Sequence, residues 1–252
     1  MRVTILGTGA ACPGAGEACS GFLVETDRAT VLVECGTGVL NYLQKYHELT
    51  AISDIVISHM HADHFLDLIP YRYALCYGIE SNNMPRPRLH LPPGGIDVLR
   101  QVTLPFSETD NFFEDAFRVS EYNPGEPLEL DGLKFQFTPV YHYIPSFGIT
   151  VTGSKKLSYS SDSGPCPELI EIARDAELFI CNTGACLESK KDVSWGHLTP
   201  EQSGRIAREA GARHVLLTHI WSTCSRASCL ERAAREFGGW VELAESCHTY
   251  EV

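Results

Sequence analysis

The sequence lacks any run of 18 uninterrupted apolar residues, so we expect no helix that spans a membrane. The residues after Met1 contain no long apolar stretch followed by a small-residue cleavage site, so they are not typical of a secretory signal peptide. Basic residues are few, because 20 Lys and Arg stand against 32 Asp and Glu, for a formal charge of −12. A broad basic face for extended nucleic acid or anionic membrane is therefore not expected.

The ten cysteines lack the paired spacing of a zinc finger or a redox motif, since no two of them form a CxxC pattern. We expect a cytoplasmic protein whose thiols are reduced and mostly buried, although a disulfide such as Cys12–Cys19 remains open. The glycine-rich segment 7–11 fits neither the dinucleotide-binding GxGxxG pattern nor a phosphate-binding P-loop, so it indicates no nucleotide cofactor.

What the chain does contain is typical of a folded α/β protein. Its 252 residues are 44% hydrophobic and 21% charged, which allows a large core. Without a repeat or an evident linker, we expect one domain over residues 1–252. Strand and helix patterns alternate in both halves, which favours a layered α/β architecture. The patterns predict strands at 3–7, 22–25, 30–34, 55–58, 88–91, 149–152, 157–159, 178–181 and 214–219, a hairpin at 128–137, and helices near 39–46, 96–102, 167–173, 199–211 and 227–237.

The segment 58–64, SHMHADH, carries three imidazoles and a carboxylate directly after a predicted buried strand. Imidazole and carboxylate ligands suit zinc, manganese or iron. His59 and His61 alternate along an extended backbone and can converge on one ion, whereas Asp63 and His64 can reach a second position. A plain solvated loop is the alternative, but it does not explain this density of ligands.

The HxHxDH pattern resembles the signature of the metallo-β-lactamase superfamily, and the later motifs of that family follow in order. His142 lies in PVYH, Asp162 in YSSDS and His219 in LLTH. The resemblance implies an αββα sandwich with two divalent ions, most favourably zinc, with manganese or iron as alternatives. It implies a first ligand set of His59, His61 and His142, a second set of Asp63, His64 and His219, and Asp162 shared between them.

This resemblance also implies the chemistry. A hydroxide held by the metal pair would attack the substrate, and Asp63 would orient or deprotonate the water besides ligating metal. Two divalent ions add four positive charges locally, so the site can attract a small anionic substrate despite the overall charge.

Within the superfamily, the sequence is most similar to the ribonuclease Z-like branch, through LGTG at 6–9 and GHLTPEQ at 196–202. The resemblance implies that His197 faces the scissile phosphate, as phosphate binder or proton donor to the leaving group. The alternative is a histidine that has no role in the reaction and only precedes the following helix. Trp195 and Trp221 are candidates for the mouth of the site or, equally, for the core.

Three departures from the branch matter. Only 20 residues lead from His142 to Asp162, which leaves room for a strand pair but not for the tRNA-clamping arm. Asn182 stands where the branch has a glutamate beside the extra histidine, so we expect an amide to hydrogen-bond His197 without stabilising its cation. Glu34 replaces the usual aspartate, and we expect it beside a metal-bound histidine.

We therefore expect a dinuclear metal-dependent hydrolase of a phosphodiester in a small or nucleotide-like substrate. The metal motif does not separate this reaction from hydrolysis of a lactone, thioester or sulfate ester. A metal-containing sensor or binding protein is the alternative outside the enzymes. We expect little or no tRNA 3′ processing, and the resemblance suggests a homodimer.

Overall fold

The strands of the chain form two mixed sheets of seven strands each. The computed structural model describes residues 1–78, 86–107, 109, 111–186 and 196–252. The first sheet runs, in spatial order, β14 (Thr249–Glu251), β1 (Arg2–Gly7), β2 (Gly21–Glu25), β3 (Thr30–Val33), β4 (Asp54–Val56), β5 (Arg88–Leu91) and β6 (Arg118–Glu121). The second runs β13 (Trp240–Leu243), β12 (His214–Thr218), β11 (Leu178–Asn182), β10 (Lys156–Tyr159), β9 (Ser146–Thr152), β8 (Leu133–Val140) and β7 (Leu128–Leu130).

Helices cover the outer face of each sheet. They are α1 (Val39–Leu43), α2 (Ala62–Phe65), α3 (Leu68–Tyr73), α4 (Gly95–Thr103), α5 (Glu168–Ala173), α6 (Pro200–Ala210) and α7 (Arg226–Phe237). Three apolar clusters separate the layers. One lies between the sheets, a second joins the first sheet to α1, α3 and α4, and a third joins the second sheet to α5, α6 and α7. The predicted αββα sandwich is therefore confirmed.

The central core and the two outer clusters together explain why the inner strands are apolar on both faces. Phe22 of β2 meets Tyr159 of β10 edge to face, with ring centroids 4.8 Å apart, and Phe135 of β8 is fully buried beside them. Burying a side chain of this size contributes about 1.5–3 kcal/mol. Both faces of β2 and β11 are covered, so every residue of these strands is buried.

Helix α6 begins and ends where its sequence signals place it. Thr199 accepts a hydrogen bond from the backbone of Gln202, and the Gln202 side chain accepts one from the backbone of Thr199, forming a capping box with Pro200 at the first position. Gly211 ends the helix in the left-handed region, at φ 68°. This cap fixes the chain two residues after His197.

The cysteine prediction is wrong for one pair. Cys186 and Cys224 form a disulfide, with their Cα atoms 6.1 Å apart, whereas Cys12 and Cys19 remain free. Cys186 follows β11 and Cys224 follows β12, and these are neighbouring parallel strands. Their ends meet at one edge of the sheet, which brings together two residues that are 38 positions apart in sequence.

Three strands were not among the predicted elements, namely β6, β13 and β14. Each lies at a sheet edge, and most of their residues are at least partly exposed, so the alternation of apolar residues is weak. The part of the chain that the structure describes contains no helix with the length and apolar character needed to cross a membrane.

Candidate metal centre

Four segments from both sheets bring the predicted ligands to one end of the sandwich. The HxHxDH segment follows β4 and continues into α2, while His142, Asp162 and His219 follow β8, β10 and β12. An isolated bridge between His59 and Ser146 ties the first sheet to the second at this end. All seven predicted ligands therefore meet, although some are 160 residues apart in sequence.

The first cluster joins three imidazoles. His61 Nδ1 lies 3.2 Å from His59 Nε2 and 3.0 Å from His142 Nε2. Metal–nitrogen bonds of about 2.0–2.1 Å place two nitrogens on one ion about 3.0–3.4 Å apart. The three nitrogens therefore have the spacing of ligands to a common ion, and with Asp162 all four ligand atoms lie within 4.8 Å of one another.

The second cluster contains Asp63, His64 and His219. Asp63 Oδ2 lies 3.1 Å from His219 Nε2 and 3.5 Å from His64 Nε2. The same Oδ2 atom of Asp162 lies 3.5 Å from His64 Nε2, 3.4 Å from His219 Nε2 and 3.7 Å from His59 Nε2 of the first cluster. One carboxylate oxygen thus faces both clusters, which is the geometry required of a shared ligand.

Several buried polar atoms at this centre form no hydrogen bond with the described residues. They are both ring nitrogens of His64, Nδ1 of His219 and Oε2 of Glu34. Leaving such atoms without a partner costs about 1–3 kcal/mol each. A divalent ion would engage His64 Nε2 directly, and the histidine and carboxylate set suits zinc, manganese or iron. The residues present therefore fit a two-metal centre.

Residues around the ligands set their orientation. His142 Nδ1 donates to the carbonyl oxygen of Gly196 at 2.7 Å, which leaves Nε2 as the free lone pair. Glu34 Oε1 accepts from the backbone N–H of Ser58 at 3.1 Å, and its Oε2 lies 3.5 Å from His64 Nδ1. Glu34 is thus placed beside a candidate metal-binding histidine, where the sequence predicts it.

Asn182 contacts a different partner from the one predicted. Its Nδ2 donates to Asp162 Oδ1 at 2.7 Å and to the Tyr159 hydroxyl at 3.0 Å, and no hydrogen bond to His197 is formed within the described residues. Asn182 ends β11 and Asp162 follows the adjacent β10, so the short amide reaches across neighbouring strands. It holds Oδ1 of Asp162 and directs Oδ2 toward the histidines.

His197 lies at the rim of the centre. Its ring stacks on that of His219 with centroids 5.7 Å apart and 16° between the planes, and Nδ1 lies 3.9 Å from Asp162 Oδ2. Its side chain is 19% exposed, so one edge reaches solvent. Gly184 permits this position, because a Cβ there would come within 2.8 Å of His197 Nδ1.

Two exposed tyrosines flank this rim and were not singled out from the sequence. The Tyr143 ring centroid lies 4.9 Å from that of His142 and 6.0 Å from that of His197, and Tyr143 is 58% exposed. Tyr141 is exposed next to the same ligand. Trp221 packs against the apolar cluster under the second sheet, and Trp195 lies outside the described residues.

Burial controls the charge of the imidazoles. It lowers the pKa of His59 well below the ordinary value, and it lowers the pKa of His142 to about 4 against the opposing carboxylate of Asp162. Burial alone would raise the pKa of Asp162, but the adjacent His219 and His64 hold it well below its usual range. His59 and His142 thus offer neutral imidazole lone pairs beside an ionised shared carboxylate, whereas at His64 the carboxylates of Asp162 and Glu34 outweigh burial and raise the pKa well above its ordinary value.

Two residues beside the ligands and one of the candidate ligands adopt the left-handed backbone region that favours glycine. They are Glu34 at φ 62°, Ser161 at φ 55° and His219 at φ 57°. Each follows a strand and turns its side chain or its neighbour into the centre. Such conformations cost about 1–3 kcal/mol each and concentrate at functional sites.

The fold and this centre define a metallo-hydrolase of the beta-lactamase superfamily. The family model described as "Beta-lactamase superfamily domain" matches residues 29–220, and the chain belongs to that family. An uncharacterized protein of Mycobacterium tuberculosis (strain ATCC 25618 / H37Rv) is 31% identical over 255 residues, covering 100% of this chain and 92% of that protein.

Within the superfamily, the chain is similar to a probable metallo-hydrolase and, at lower identity, to ribonuclease Z. The probable metallo-hydrolase YhfI of Bacillus subtilis (strain 168) is 30% identical over 258 residues, covering 100% of both chains. The crystal structure of YhfI matches with a TM-score of 0.88 at 26% identity over 99% of both chains. Ribonuclease Z of Myxococcus xanthus (strain DK1622) is 27% identical over 308 residues, covering 100% of this chain and 98% of that protein.

Proposed function

We propose that the chain hydrolyses a phosphodiester bond in a small or nucleotide-like substrate, using two divalent ions, most favourably zinc. The observation that carries the proposal is Asp162 Oδ2, which faces histidines of both clusters at 3.4–3.7 Å, with His197 beside them at the rim. A relative of 27% identity is named ribonuclease Z, and a ribonuclease cleaves phosphodiesters. This supports the choice of bond.

When bound, a pair of divalent ions would lower the pKa of a water toward neutrality and stabilise charge on the attacked group. The chain supplies the rest. Asp63 is ionised, because the hydrogen bond from His219 and the nearby His64 outweigh its burial and lower its pKa to about 2. Its carboxylate lies at the second cluster, where it would hold an ion and orient a water by accepting a hydrogen bond from it.

His197 acts as a phosphate binder in this proposal. A carboxylate at hydrogen-bond distance would stabilise the His197 cation. The Oδ2 atom of Asp162 is 3.9 Å from His197 Nδ1, which is beyond that distance, and the Asn182 amide contacts Asp162 and not His197. The ring therefore offers an N–H to a phosphate oxygen and is poorly equipped to carry a full positive charge.

The short segment between His142 and Asp162 is consistent with a small substrate in this proposal. Strands β9 and β10 fill this interval as an antiparallel hairpin that pairs Thr152 with Lys156. No long arm leaves the fold in this described interval, and the excess of 32 acidic over 20 basic residues does not favour a broad basic face. We therefore propose that extended RNA, and pre-tRNA in particular, is a poor substrate.

A substrate panel tests the reaction class. Zinc-loaded protein should hydrolyse bis(p-nitrophenyl) phosphate at least about tenfold faster than an aryl lactone, an aryl thioester or an aryl sulfate, and should leave pre-tRNA uncut. Faster lactone, thioester or sulfate ester turnover would select that ester class instead. A metal-loaded protein that is inert to the whole panel would contradict a hydrolase and favour a sensor.

His197→Gln should lower kcat/KM for the phosphodiester by about 10- to 100-fold, because a hydrogen bond to a charged group contributes about 1.5–3 kcal/mol. Metal content should remain at two ions per chain, since His197 belongs to neither ligand cluster. The matched control is His248→Gln at an exposed histidine, which should not change the rate. An unchanged rate in His197→Gln, or loss of metal from it, would contradict the proposed role.

A further inference from the structure

A second cleft lies at the end of the first sheet opposite to the metal centre. It has a volume of about 300 Å³ and contains three arginines but no carboxylate among its lining residues. Ser53 directly precedes β4, and His59 follows six residues later, a separation of about 20 Å of extended chain. The lining residues of this arginine cleft are Thr50, Ala51, Ile52, Ser53, Arg86, Pro87, Arg88 and Arg118.

One of the three arginines is neutralised and held in place. Arg88 binds the buried Asp54 with two hydrogen bonds of 2.7 and 2.8 Å, and its Nη2 also lies 3.0 Å from Asp131 Oδ2. Asp54 in turn accepts from His90 at 2.8 Å when that ring nitrogen is protonated. Arg88 is therefore a structural residue whose charge is offset by Asp54 and Asp131.

The other two arginines face the cleft without a carboxylate partner. Arg86 donates to the backbone carbonyl oxygen of Glu114 at 2.8 Å, which leaves its charge uncompensated. The exposed Arg118 side chain forms no ion pair or hydrogen bond with the residues that the structure describes. The Thr50 hydroxyl likewise has no hydrogen-bond partner in those parts of the chain.

This concentration of positive charge is unusual for the chain. Acidic residues outnumber basic ones by 32 to 20, yet Arg118 and Arg88 are direct register partners on the parallel strands β6 and β5. Because Asp54 and Asp131 offset the charge of Arg88, the uncompensated charge at the cleft belongs to Arg86 and Arg118. A bound anion would offset that charge and accept hydrogen bonds from the free guanidinium and hydroxyl donors.

We propose that the arginine cleft is a second anion-binding site, which takes the phosphate group of a small ligand. Guanidinium groups present paired N–H donors that match phosphate oxygens, and Arg86 and Arg118 both line the cleft. Thr50 supplies a third donor. The volume of the cleft is at the small end of ligand sites, which suits a phosphate or a phosphate monoester. This site is independent of the reaction at the metal centre.

Hydrogen–deuterium exchange with added ligand tests the site where it lies. Inorganic phosphate and adenosine 5′-monophosphate should each slow exchange in the segments containing Thr50–Ser53 and Arg86–Arg88. In the double variant Arg86→Gln/Arg118→Gln, the ligand concentration needed for the same protection should rise by about 100-fold, which is about tenfold for each lost charged hydrogen-bond partner. Stronger protection by the nucleotide identifies an organic phosphate as ligand, whereas equal or stronger protection by inorganic phosphate identifies the free ion.

Arg28→Gln is the matched control, since Arg28 lines a cleft of about 360 Å³ that also contains Asp27 and Asp131. It should bind phosphate as the unaltered chain does. Metal content and phosphodiester turnover should be unchanged in all variants, which separates this result from the test of the metal centre. Equal protection in the double variant, or no protection of these segments in the unaltered chain, would overturn the proposal.

Discussion

Asp162→Asn should reduce the bound metal from two ions per chain to one or none and lower phosphodiester hydrolysis by about a thousandfold. Asp162 Oδ2 is the atom that faces His59 in one cluster and His64 and His219 in the other. An amide in its place supplies no negative charge between the two sites, and an active site that loses one charge-stabilising group typically slows by about 10²–10³-fold. Loss of an ion adds to that effect.

The measurement is elemental analysis of purified protein together with kcat/KM on bis(p-nitrophenyl) phosphate. Asp175→Asn is the control, because Asp175 is an exposed aspartate in the same half of the fold, in a left-handed conformation that asparagine tolerates. It should retain two ions and full activity. A folded Asp162→Asn protein with two ions and undiminished turnover would show that the carboxylate is not the shared ligand.

The metal centre was largely predictable because its residue types and their positions carry the chemistry. His59, His61 and His64 are crowded directly after a strand, and ligands that follow strands gather at one sheet edge. The orientation of Asn182 was not predictable in the same way. It depends on β10 and β11 being neighbours in the sheet, which places the amide 2.7 Å from Asp162 Oδ1 and away from His197.

The dependence on neighbouring strands also explains why the disulfide was not predicted from the sequence. The spacing of Cys186 and Cys224 matches no local motif, and their pairing follows only from the adjacency of β11 and β12. Strand β14 is a further case, since Thr249 pairs with Thr4 across nearly the whole chain. Local patterns specify where an element forms, whereas its partners are set by packing of the complete sandwich.

Local backbone geometry was the feature that the sequence predicted least well. The sequence predicts that the strand at 30–34 includes Glu34 and that the strand at 214–219 includes His219. In the structure these strands end one residue earlier, and both residues turn into the left-handed region. β-Strand patterns favour continuation at these positions, but each side chain must leave the sheet to reach the centre. The demand of the site overrides the local preference.

Removal of both metal ions should lower the melting temperature by about 16–32 °C. Each ion present at a thousandfold excess over its dissociation constant stabilises the folded chain by about 4 kcal/mol, so two ions contribute about 8 kcal/mol. For a chain of this size, each kcal/mol shifts the melting temperature by about 2–4 °C. The measurement is differential scanning calorimetry of the zinc-loaded protein before and after treatment with EDTA and removal of the chelate.

The physical source of this loss of stability is the set of three buried acidic side chains around His64. Glu34, Asp63 and Asp162 each place an oxygen 3.5 Å from a His64 ring nitrogen, and all three are buried. Without ions, the His64 imidazolium would have to offset the ionised Asp63 and Asp162, while burial raises the pKa of Glu34, so uncompensated buried negative charge opposes folding. Re-addition of zinc should restore the melting temperature, and Asp162→Asn should respond less to EDTA because it holds fewer ions and one buried charge fewer. A metal-free chain that melts at the temperature of the loaded chain would mean that these carboxylates are balanced by the protein alone.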